Sequence, residues 1–465
     1  MSATKYGLIG HPLGHSLSPY IHERIMDAAG ISGRYELYDV QPKDFAKDMP
    51  ILMRELQGFN CTIPYKTDVI PFLDSLDEAA SRCQAVNTVI NRRGYNTDRD
   101  GFLSVGLDLA DKKVLILGAG GVSRMMAFEA LSKNSKIWIY ARNQEKAHKL
   151  AADLRSAGGQ DIYVMPEEEF RMSGAFKASD NTDGDISAGD VDVVLNGTPL
   201  GMWPFCGELA SPASIFRNGQ QVFDTVYNPA ATKWVLHAKK NGAHASGGLS
   251  MLFWQAVAAE QIWHPDRNFE KTRLLPILPD LSREMLRHFP VKYVFTGFMG
   301  AGKTTISKEV AHILKIPVYD LDEEIEQLRG CTVPEIFARD GEAGFRKTEA
   351  SVLNELLSRE GSALIATGGG ALMQDTVRTC IRSHGAIIVY LQASLDCIWT
   401  RVGNGTGRPL LGDLCDEESS RFSKVACLYE VRLPVYESHC DIQINAEEER
   451  DAVVDKVISA LGYGG

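Results

Sequence analysis

Short, mostly apolar segments recur along this chain, separated by polar turns and by stretches with helical spacing. Five of them are predicted to be buried strands: 113–117, 191–195, 221–224, 293–296 and 363–366. The segment 305–314 carries apolar residues every three or four positions, which predicts an amphipathic helix. Strands that alternate with helices indicate an α/β fold with parallel sheets.

The segment 297–304 reads Gly-Phe-Met-Gly-Ala-Gly-Lys-Thr and lies between a predicted strand and a predicted helix. This is the pattern of a phosphate-binding loop, in which backbone N–H groups and a helix N-terminus surround phosphate oxygens. Lys303 can reach the β- and γ-phosphates, and the Thr304 hydroxyl can ligate Mg²⁺. A nucleotide-binding domain is therefore expected to begin late in the chain.

Composition limits the classes of protein to consider. A chain of 465 residues, 44 % hydrophobic and 23 % charged, is expected to form two or three globular domains. The net charge of −11 makes nucleic acid an unfavoured partner. Nine scattered cysteines predict a reducing compartment. No signal peptide or membrane-spanning run is visible, so a cytoplasmic protein that binds small molecules is expected.

The first hundred residues contain a fixed loop at 10–19, with two glycines and two prolines. Its Ser16 and Ser18 can hold a small anion such as a carboxylate, or they can serve as helix caps. Loop packing or surface exposure is expected for the histidines nearby, which have no acidic partner close in sequence: His11, His15 and His22.

Lys66 follows a predicted strand at 58–64, and sites gather at the carboxyl ends of strands in α/β proteins. Its alternative role is a solvated charge. A β-hairpin is predicted over 85–98, and it places Asn87 and Asp98 beside apolar neighbours. A carboxylate near Lys66 would orient its ammonium group for proton transfer, although each polar residue alone also has a structural explanation.

A second glycine turn follows the strand at 113–117 and reads Gly-Ala-Gly-Gly-Val at 118–122. It is a variant of the dinucleotide-binding turn. The next strand ends in Ala141-Arg142-Asn143, where an NAD site usually has an acid. Arg142 suits a 2′-phosphate, which favours NADP, or it is an ordinary surface arginine.

Polar residues beyond the phosphate loop also fit a kinase. Asp320 and Asp322 can support Mg²⁺ and accept a proton from a hydroxyl, or they can cap the following helix. Arg346 and Glu349 are one helical turn apart, a spacing typical of an ordinary ion pair. Other candidates are three successive glycines, an arginine in a glycine-rich lid and a further arginine: Gly368, Gly369, Gly370, Arg408 and Arg432.

The segments of residues 5–265 resemble shikimate 5-dehydrogenase in content and order. The matching stretches read GHSLSP, GFNCTIPYK, AVNTVI, YNTD, GAGGVSR, TPLGM, DTVYNP and GLSMLFWQA. The resemblance implies that Lys66 and Asp98 are the catalytic pair and that Tyr227 lies between substrate and nicotinamide. It implies substrate contacts from Ser16, Ser18, Thr62, Asn87, Asp98, Tyr227 and Gln255. The expected NADP contacts are Gly118, Ala119, Gly120, Gly121, Val122, Ala141, Arg142, Asn143, Thr198 and Gly248. The family often has Asn-Arg-Thr at 141–143, so strict NADP selectivity is open.

Residues 291–463 resemble shikimate kinase, through GFMGAGKT, DLDEEIE, GEAGFRKTE, ATGGG, GRPLL and RLPVY. The resemblance implies that shikimate is bound by Asp322, Arg346, Gly368, Gly369, Gly370 and Arg432. It implies that ATP and Mg²⁺ are bound by Gly300, Ala301, Gly302, Lys303, Thr304, Thr305, Arg408 and Asp320. Lys303 and Asp322 are then the catalytic residues.

Together the two resemblances predict a bifunctional enzyme that makes shikimate with NADPH and phosphorylates it with ATP. A two-lobed dehydrogenase with a Rossmann lobe is expected, followed by a P-loop α/β kinase. The expected bounds are 1–100 completed by 236–275 for the substrate lobe, 101–235 for the NADP lobe, 276–290 for a linker and 291–465 for the kinase. The alternatives are an NAD-dependent quinate-type dehydrogenase fused to a small-molecule kinase, and a ligand-sensing regulator. The oligomeric state stays open.

Overall fold

The computed structural model describes residues 4–166, 175–176, 186–187, 190–402 and 418–464. The chain divides into two compact units. The first contains Met1–Leu200 and Ala210–Met285, and the second contains Gly201–Leu209 and Leu286–Gly464. Among the described residues, none of the helices combines the length and the apolar character needed to cross a bilayer.

The first unit begins with a six-stranded mixed sheet in the order β2-β1-β3-β5-β6-β4. Its strands are β1 (Thr4–Gly10), β2 (Gly33–Asp39), β3 (Gly58–Cys61), β4 (Ser75–Leu76), β5 (Thr88–Ile90) and β6 (Arg93–Tyr95). β1 runs parallel to β2 and β3, whereas β5 pairs antiparallel with β3 and β6. The predicted hairpin is confirmed by the β5–β6 pairing.

Helices from both ends of the unit cover this sheet. They are α1 (Ser18–Ala28), α2 (Phe45–Glu55), α3 (Glu78–Cys83), α4 (Asp98–Leu103) and, much later, α8 (Leu249–Trp263). Trp263 at the end of α8 stacks on Tyr6 of β1, with ring centroids 5.1 Å apart, and its indole N–H donates to the Val89 carbonyl. The substrate lobe is therefore closed by a helix that is distant in sequence.

A second sheet, entirely parallel, has the order β14-β13-β12-β7-β8-β9. Its strands are β7 (Lys113–Leu117), β8 (Lys136–Tyr140), β9 (Ile162–Met165), β12 (Val193–Asn196), β13 (Gln221–Asp224) and β14 (His244–Ser246). Its helices are α5 (Gly121–Ser132), α6 (Gln144–Ser156) and α7 (Lys233–Lys240). A separate antiparallel pair joins β10 (Ala175–Phe176) and β11 (Ile186–Ser187). The central β7 is fully buried from Val114 to Leu117, as an apolar parallel strand should be.

The second unit has a five-stranded parallel sheet in the order β16-β17-β15-β18-β19. Its strands are β15 (Lys292–Thr296), β16 (Val318–Asp320), β17 (Ala363–Ala366), β18 (Ile387–Gln392) and β19 (Ile442–Asn445). The α/β class with parallel sheets is thereby confirmed.

The later helices flank the sheet of the second unit or precede it. They are α9 (Lys271–Leu274), α10 (Ile277–His288), α11 (Lys303–Leu314), α12 (Leu321–Arg329), α13 (Val333–Ser358), α14 (Asp375–Ser383), α15 (Leu395–Val402), α16 (Glu418–His439) and α17 (Arg450–Ala460). Most of 276–290, where a linker is expected, is helical because α10 occupies it. Helix α13 is kinked at Gly341, whose φ is 69°.

Candidate active sites

The predicted catalytic pair of the first unit is formed. Lys66 lies beyond the end of β3, and Asp98 is the first residue of α4. Lys66 Nζ and Asp98 Oδ2 are 2.6 Å apart, and both side chains are largely buried, with 25 % and 15 % exposure. A short ion pair at such a site fixes the direction of the lysine ammonium.

Asn87 holds the carboxylate of this pair. Its Nδ2 donates to Asp98 Oδ1 at 2.9 Å, and its Oδ1 accepts from the Thr97 backbone N–H at 2.8 Å. Gln255 of α8 faces the same group, with its Oε1 3.4 Å from Asn87 Nδ2. Asn87 is buried. These contacts bring together four predicted residues: Lys66, Asn87, Asp98 and Gln255.

The serine loop is arranged locally. The Ser18 backbone N–H donates to Ser16 Oγ at 3.3 Å, and the two hydroxyl oxygens are 3.2 Å apart. In the described chain, Leu17 is the N-cap of α1 and makes no side-chain cap bond, so neither serine is the helix cap. Thr62 lies against this loop, because a Cβ on Gly10 would be 2.4 Å from Thr62 Cγ2.

Two histidines have acidic partners that the sequence expectation missed. His11 Nδ1 lies 2.6 Å from Asp39 Oδ1, and His22 Nδ1 lies 2.7 Å from Glu260 Oε1. His22 is buried and His11 is partly exposed, as packing or exposure implies, but the sequence did not reveal their acidic partners because these are distant in sequence. Glu260 is fully buried, and burial alone would raise its pKa. Hydrogen bonds with His22 and His264 outweigh this effect and hold the pKa of Glu260 below its ordinary value.

The glycine turn of the second sheet is built to receive a ligand. Gly118 has φ = 105°, a conformation that favours glycine, and a Cβ there would lie 2.8 Å from Ser123 Oγ. The turn leads directly into α5, whose N-terminus begins at Gly121. Open space beside Gly120 and Gly121 leaves the helix N-terminus accessible to a phosphate. The predicted residues Ala119 and Val122 belong to this same turn.

The three residues that follow β8, 141–143, differ in exposure and in hydrogen bonding. Ala141 is buried, Arg142 is exposed and Asn143 is the N-cap of α6, since its side chain accepts from the Lys146 backbone N–H at 2.9 Å. An exposed guanidinium at the carboxyl end of β8 is accessible to a nucleotide phosphate. The Asn143 side chain is already engaged by its own helix.

The loops after β12 and β13 carry the remaining cofactor candidates. Thr198 follows β12, and its Cγ2 lies beside the glycine turn, 3.1 Å from where a Gly118 Cβ would be. The Gly248 N–H donates to the Val226 carbonyl at 2.9 Å, next to Tyr227. Burial raises the pKa of the Tyr227 phenol. Thr198 is thus placed at the glycine turn, and Gly248 beside the Tyr227 loop.

Asp224, at the end of β13, is fully buried, and burial raises its pKa to about 7 although three hydrogen bonds oppose the rise. Because the unfolded chain loses this proton near pH 4, the folded state binds more protons between pH 4 and 7. The free energy of unfolding should therefore fall as the pH rises through this window, by up to about 4 kcal/mol. Urea unfolding of the wild type and of Asp224→Asn at pH 4.5, 6 and 7.5 measures this free energy. The stability advantage of Asp224→Asn should grow with pH; a constant difference would contradict the prediction.

The second unit contains a cavity of about 550 Å³ at the carboxyl edge of its sheet. The phosphate loop, α12, α13 and the segment after β17 enclose it. The cavity is lined by nearly all the predicted kinase residues: Gly300, Gly302, Lys303, Thr304, Thr305, Asp320, Asp322, Arg346, Gly368, Gly369, Gly370 and Arg432. Ala301 is buried within the loop. Arg408 lies outside the described residues.

The phosphate loop has the expected geometry. Lys303 is the first residue of α11, and its Nζ donates to the Gly297 and Phe298 carbonyls at 3.0 Å each. The Thr304 hydroxyl donates to Asp320 Oδ2 at 2.7 Å. Asp320 also caps α12, since its side chain accepts from the Asp322 N–H. The capping alternative is therefore correct for Asp320, and the same carboxylate also lies against the Thr304 hydroxyl.

Asp322 is directed toward the glycine segment after β17. Burial is the largest cause that raises its pKa, Asp320 adds to the rise, and the Lys303 charge opposes it. A Cβ on Gly368 would lie 3.2 Å from Asp322 Oδ1. A carboxylate whose proton affinity is raised in this way is suited to accept a proton from a hydroxyl.

Arg346 is held by more than a helical ion pair. Its Nη1 donates to Glu349 Oε2 at 2.8 Å, and Gln374 Nε2 donates to the same oxygen at 2.6 Å. Glu349 is fully buried, and among the described residues its Oε1 has no hydrogen-bond partner. Gly370 lies directly against this guanidinium, since a Cβ there would be 2.5 Å from Arg346 Nη2. The positions of Glu349 and Gln374 in the site depend on tertiary contacts that their spacing does not reveal.

Arg432 of α16 completes the cavity. It is 5 % exposed, and its guanidinium lies over the Phe298 ring, 5.7 Å from the centroid. One turn later, the buried Tyr436 donates its hydroxyl to the Gly369 carbonyl and fixes the glycine segment. Two arginines, a buried carboxylate and a phosphate loop thus face one cavity.

Comparison with known proteins assigns both units. A family model described as the shikimate dehydrogenase substrate binding domain matches residues 8–89, and one described as shikimate kinase matches residues 299–462. The shikimate dehydrogenase (NADP(+)) of Moorella thermoacetica is 40 % identical over 266 residues, which is 55 % of this chain and 86 % of that protein. The chain belongs to the shikimate dehydrogenase family. With the kinase match, it is a bifunctional shikimate-pathway enzyme.

Solved structures of shikimate dehydrogenases agree with the first unit. The Thermus thermophilus enzyme in complex with NADP(H) and shikimate has a TM-score of 0.51 and 27 % identity, and the match covers 61 % of this chain and 100 % of that one. The Listeria monocytogenes enzyme in complex with shikimate and NAD has a TM-score of 0.52 and 28 % identity, over 59 % of this chain and 96 % of that one. The family resemblance and the Rossmann-type fold are confirmed.

Proposed function

We propose that the first unit reduces 3-dehydroshikimate to shikimate with NADPH, and that the second transfers phosphate from ATP to the shikimate 3-hydroxyl. The observation that carries this proposal is one chain holding both the Lys66–Asp98 ion pair and a phosphate loop that faces Asp322. An ammonium donor serves ketone reduction, and a phosphate loop with a carboxylate serves phosphoryl transfer.

In the first site Lys66 is the proton donor. NADPH, when bound, supplies the hydride that adds to the substrate carbonyl carbon. The developing negative charge on the carbonyl oxygen takes a proton from Lys66, which becomes the neutral amine. Asp98 orients the ammonium before this step, and Asn87 keeps Asp98 in place. In the reverse direction the amine takes the proton back.

The substrate carboxylate is assigned to Ser16 and Ser18. Two hydroxyl oxygens 3.2 Å apart beside the start of α1 offer neutral donors to an anion. Thr62, Asn87 and Gln255 offer hydrogen bonds to the ring hydroxyls. Tyr227, near Gly248, is assigned to the boundary between substrate and nicotinamide.

NADP is the preferred cofactor in this proposal. The residues present fit a dinucleotide, because the turn at Gly118 leaves room before the N-terminus of α5. The exposed Arg142 supplies a positive charge for the 2′-phosphate. The Moorella relative is named for NADP(+), whereas the Listeria structure contains NAD, so both cofactors belong in the test.

In the second site the residues fit a magnesium nucleotide. The Thr304 hydroxyl and the Asp320 carboxylate are hard oxygen ligands, and Mg²⁺ typically takes one or two protein oxygens together with phosphate oxygens. Mg²⁺ supplies charge neutralisation on the phosphates. Lys303 stabilises the phosphates, Asp322 accepts the hydroxyl proton, and Arg346 and Arg432 bind the substrate carboxylate. Arg408 is assigned to the nucleotide phosphates.

A coupled assay on the purified chain tests the proposal. With 3-dehydroshikimate and NADPH, absorbance at the nicotinamide band should fall, and ATP–Mg²⁺ should then convert the product to shikimate 3-phosphate. NADH should give a lower kcat/KM than NADPH, and Arg142→Ala should reduce that preference. Equal use of NADH and quinate would support the quinate-type alternative. Binding of shikimate without turnover at either site would support the regulator.

A further inference from the structure

A buried pair of polar side chains lies under the loops assigned to the cofactor. Asn196 ends β12 and Asp224 ends β13, and the two are directly opposite each other on adjacent parallel strands. Asn196 Nδ2 donates to Asp224 Oδ1 at 2.8 Å. Both side chains are fully buried, so each polar atom needs a partner inside the protein.

Asn196 uses its other end to fix Thr198. Its Oδ1 accepts from the Thr198 backbone N–H at 2.9 Å and from the Thr198 hydroxyl at 2.7 Å. These two bonds set both the backbone and the side-chain rotamer of Thr198. Because Thr198 packs beside Gly118, the glycine turn and the β12 loop are held in one arrangement.

Asp224 holds the neighbouring loop in the same way. Its Oδ1 also accepts from the Val226 N–H at 3.0 Å, and the Val226 carbonyl accepts from the Gly248 N–H at 2.9 Å. Tyr227 is the next residue along this loop. The other oxygen of Asp224 accepts from the Thr232 hydroxyl at 2.6 Å, and Thr232 is the N-cap of α7. Of the three hydrogen bonds to Asp224, those from Asn196 and Val226 connect it to the two loops assigned to the cofactor. The third, from Thr232, connects it to the start of α7.

We propose that Asn196 and Asp224 are positioning residues, which set the Thr198 loop and the Tyr227–Gly248 corner relative to each other around the nicotinamide. The inference rests on the proposed dehydrogenase function. A buried pair anchored at the ends of two adjacent strands gives both loops a common, rigid point of attachment. A misplacement of about 1 Å at such a site costs roughly 10²-fold in rate.

Four variants separate positioning from general structural support. Asn196→Ala cuts the connection to Thr198, and Asp224→Ala removes the common acceptor. Asp224→Asn is the conservative variant, because an amide oxygen can still accept from Asn196 and from the Val226 N–H. Thr232→Val is the matched control, because it removes a hydrogen bond to the same carboxylate on the side that leads to α7.

Steady-state kinetics are measured with NADPH and 3-dehydroshikimate, and the KM of each is determined separately, because 3-dehydroshikimate is a substrate of the first unit only. We expect kcat/KM for NADPH to fall about 10- to 100-fold in Asn196→Ala and Asp224→Ala. The KM for 3-dehydroshikimate should change less, because most of the proposed substrate contacts lie in the other lobe. Asp224→Asn should restore most of the activity. The double variant should lose less than the product of the single losses. Thr232→Val should lower the unfolding midpoint and keep the wild-type KM for NADPH.

Two results would overturn the inference. One is Asn196→Ala with wild-type kcat and KM; this variant decides the matter if Asp224→Ala does not fold. The other is a loss in Thr232→Val equal to that in Asp224→Ala, which would make the network a structural support only. Absence of NADPH oxidation by the wild type would instead contradict the proposed function, so the two failures are distinguishable.

Discussion

Replacing Lys66 with methionine should abolish most NADPH oxidation and leave phosphorylation of added shikimate intact. The side chain keeps its apolar length, but the proton donor is lost, and a positioned acid of this kind contributes about 10²- to 10⁴-fold. The fall should appear in kcat rather than in the KM for NADPH, because the cofactor is bound by the other lobe. Stopped-flow absorbance with 3-dehydroshikimate measures it, and a discontinuous ATP assay follows the kinase.

Lys136→Met is the matched control for Lys66→Met. Lys136 is an exposed lysine whose Nζ lies 3.7 Å from Asp161, at the other end of the Rossmann-type sheet from the glycine turn. It should retain wild-type rates because exposed pairs contribute little to stability. Normal NADPH oxidation by Lys66→Met would remove Lys66 from the mechanism, and Asp98→Asn would then be the next variant to examine.

Replacing Lys303 with methionine should have the complementary effect. Its ammonium lies at the N-terminus of α11, where it would stabilise charge that develops on the phosphates during transfer. Removing such a charge should lower the kinase kcat by roughly 10²- to 10³-fold, while NADPH oxidation continues at the wild-type rate. Shikimate affinity should persist because Arg346 and Arg432 are unchanged.

Lys308, on the same helix, provides the control for Lys303. It is half-exposed, and its Nζ lies 3.4 Å from Glu323 at the surface. Lys308→Met should keep both activities. If Lys303→Met phosphorylates shikimate as fast as Lys308→Met does, the second unit uses its phosphate loop for binding alone.

The features that the sequence predicted best are those formed by neighbouring residues. The phosphate loop and the glycine turn each consist of a few consecutive residues. The periodicity of the flanking segments identifies the strand before each motif and the helix after it. The Lys66–Asp98 pair was implied by the family resemblance, and in the structure it forms because the β5–β6 hairpin, paired with β3, returns Asp98 to the end of β3. Local geometry was sufficient for the phosphate loop and the glycine turn.

Partners joined by tertiary packing were not predictable in this way. Glu260 is far from His22 in sequence, and the two meet because α8 packs beside α1. Gln374 reaches Glu349 only after β17 and α14 are placed. The bond from Asn196 to Asp224 depends on the register of β12 against β13, which periodicity does not fix.

The closure of the first sheet by α8 also dictates an order of events on the ribosome. Trp263 packs against Tyr6, so the first sheet lacks part of its core until the 257 positions that separate the two residues have been synthesised. At typical synthesis rates this takes on the order of ten seconds to a minute. The Rossmann-type sheet, complete at Ser246, is available sooner. During translation the nascent chain therefore exposes an unfinished β1–β3 sheet, whose apolar surface is open to aggregation until α8 is made.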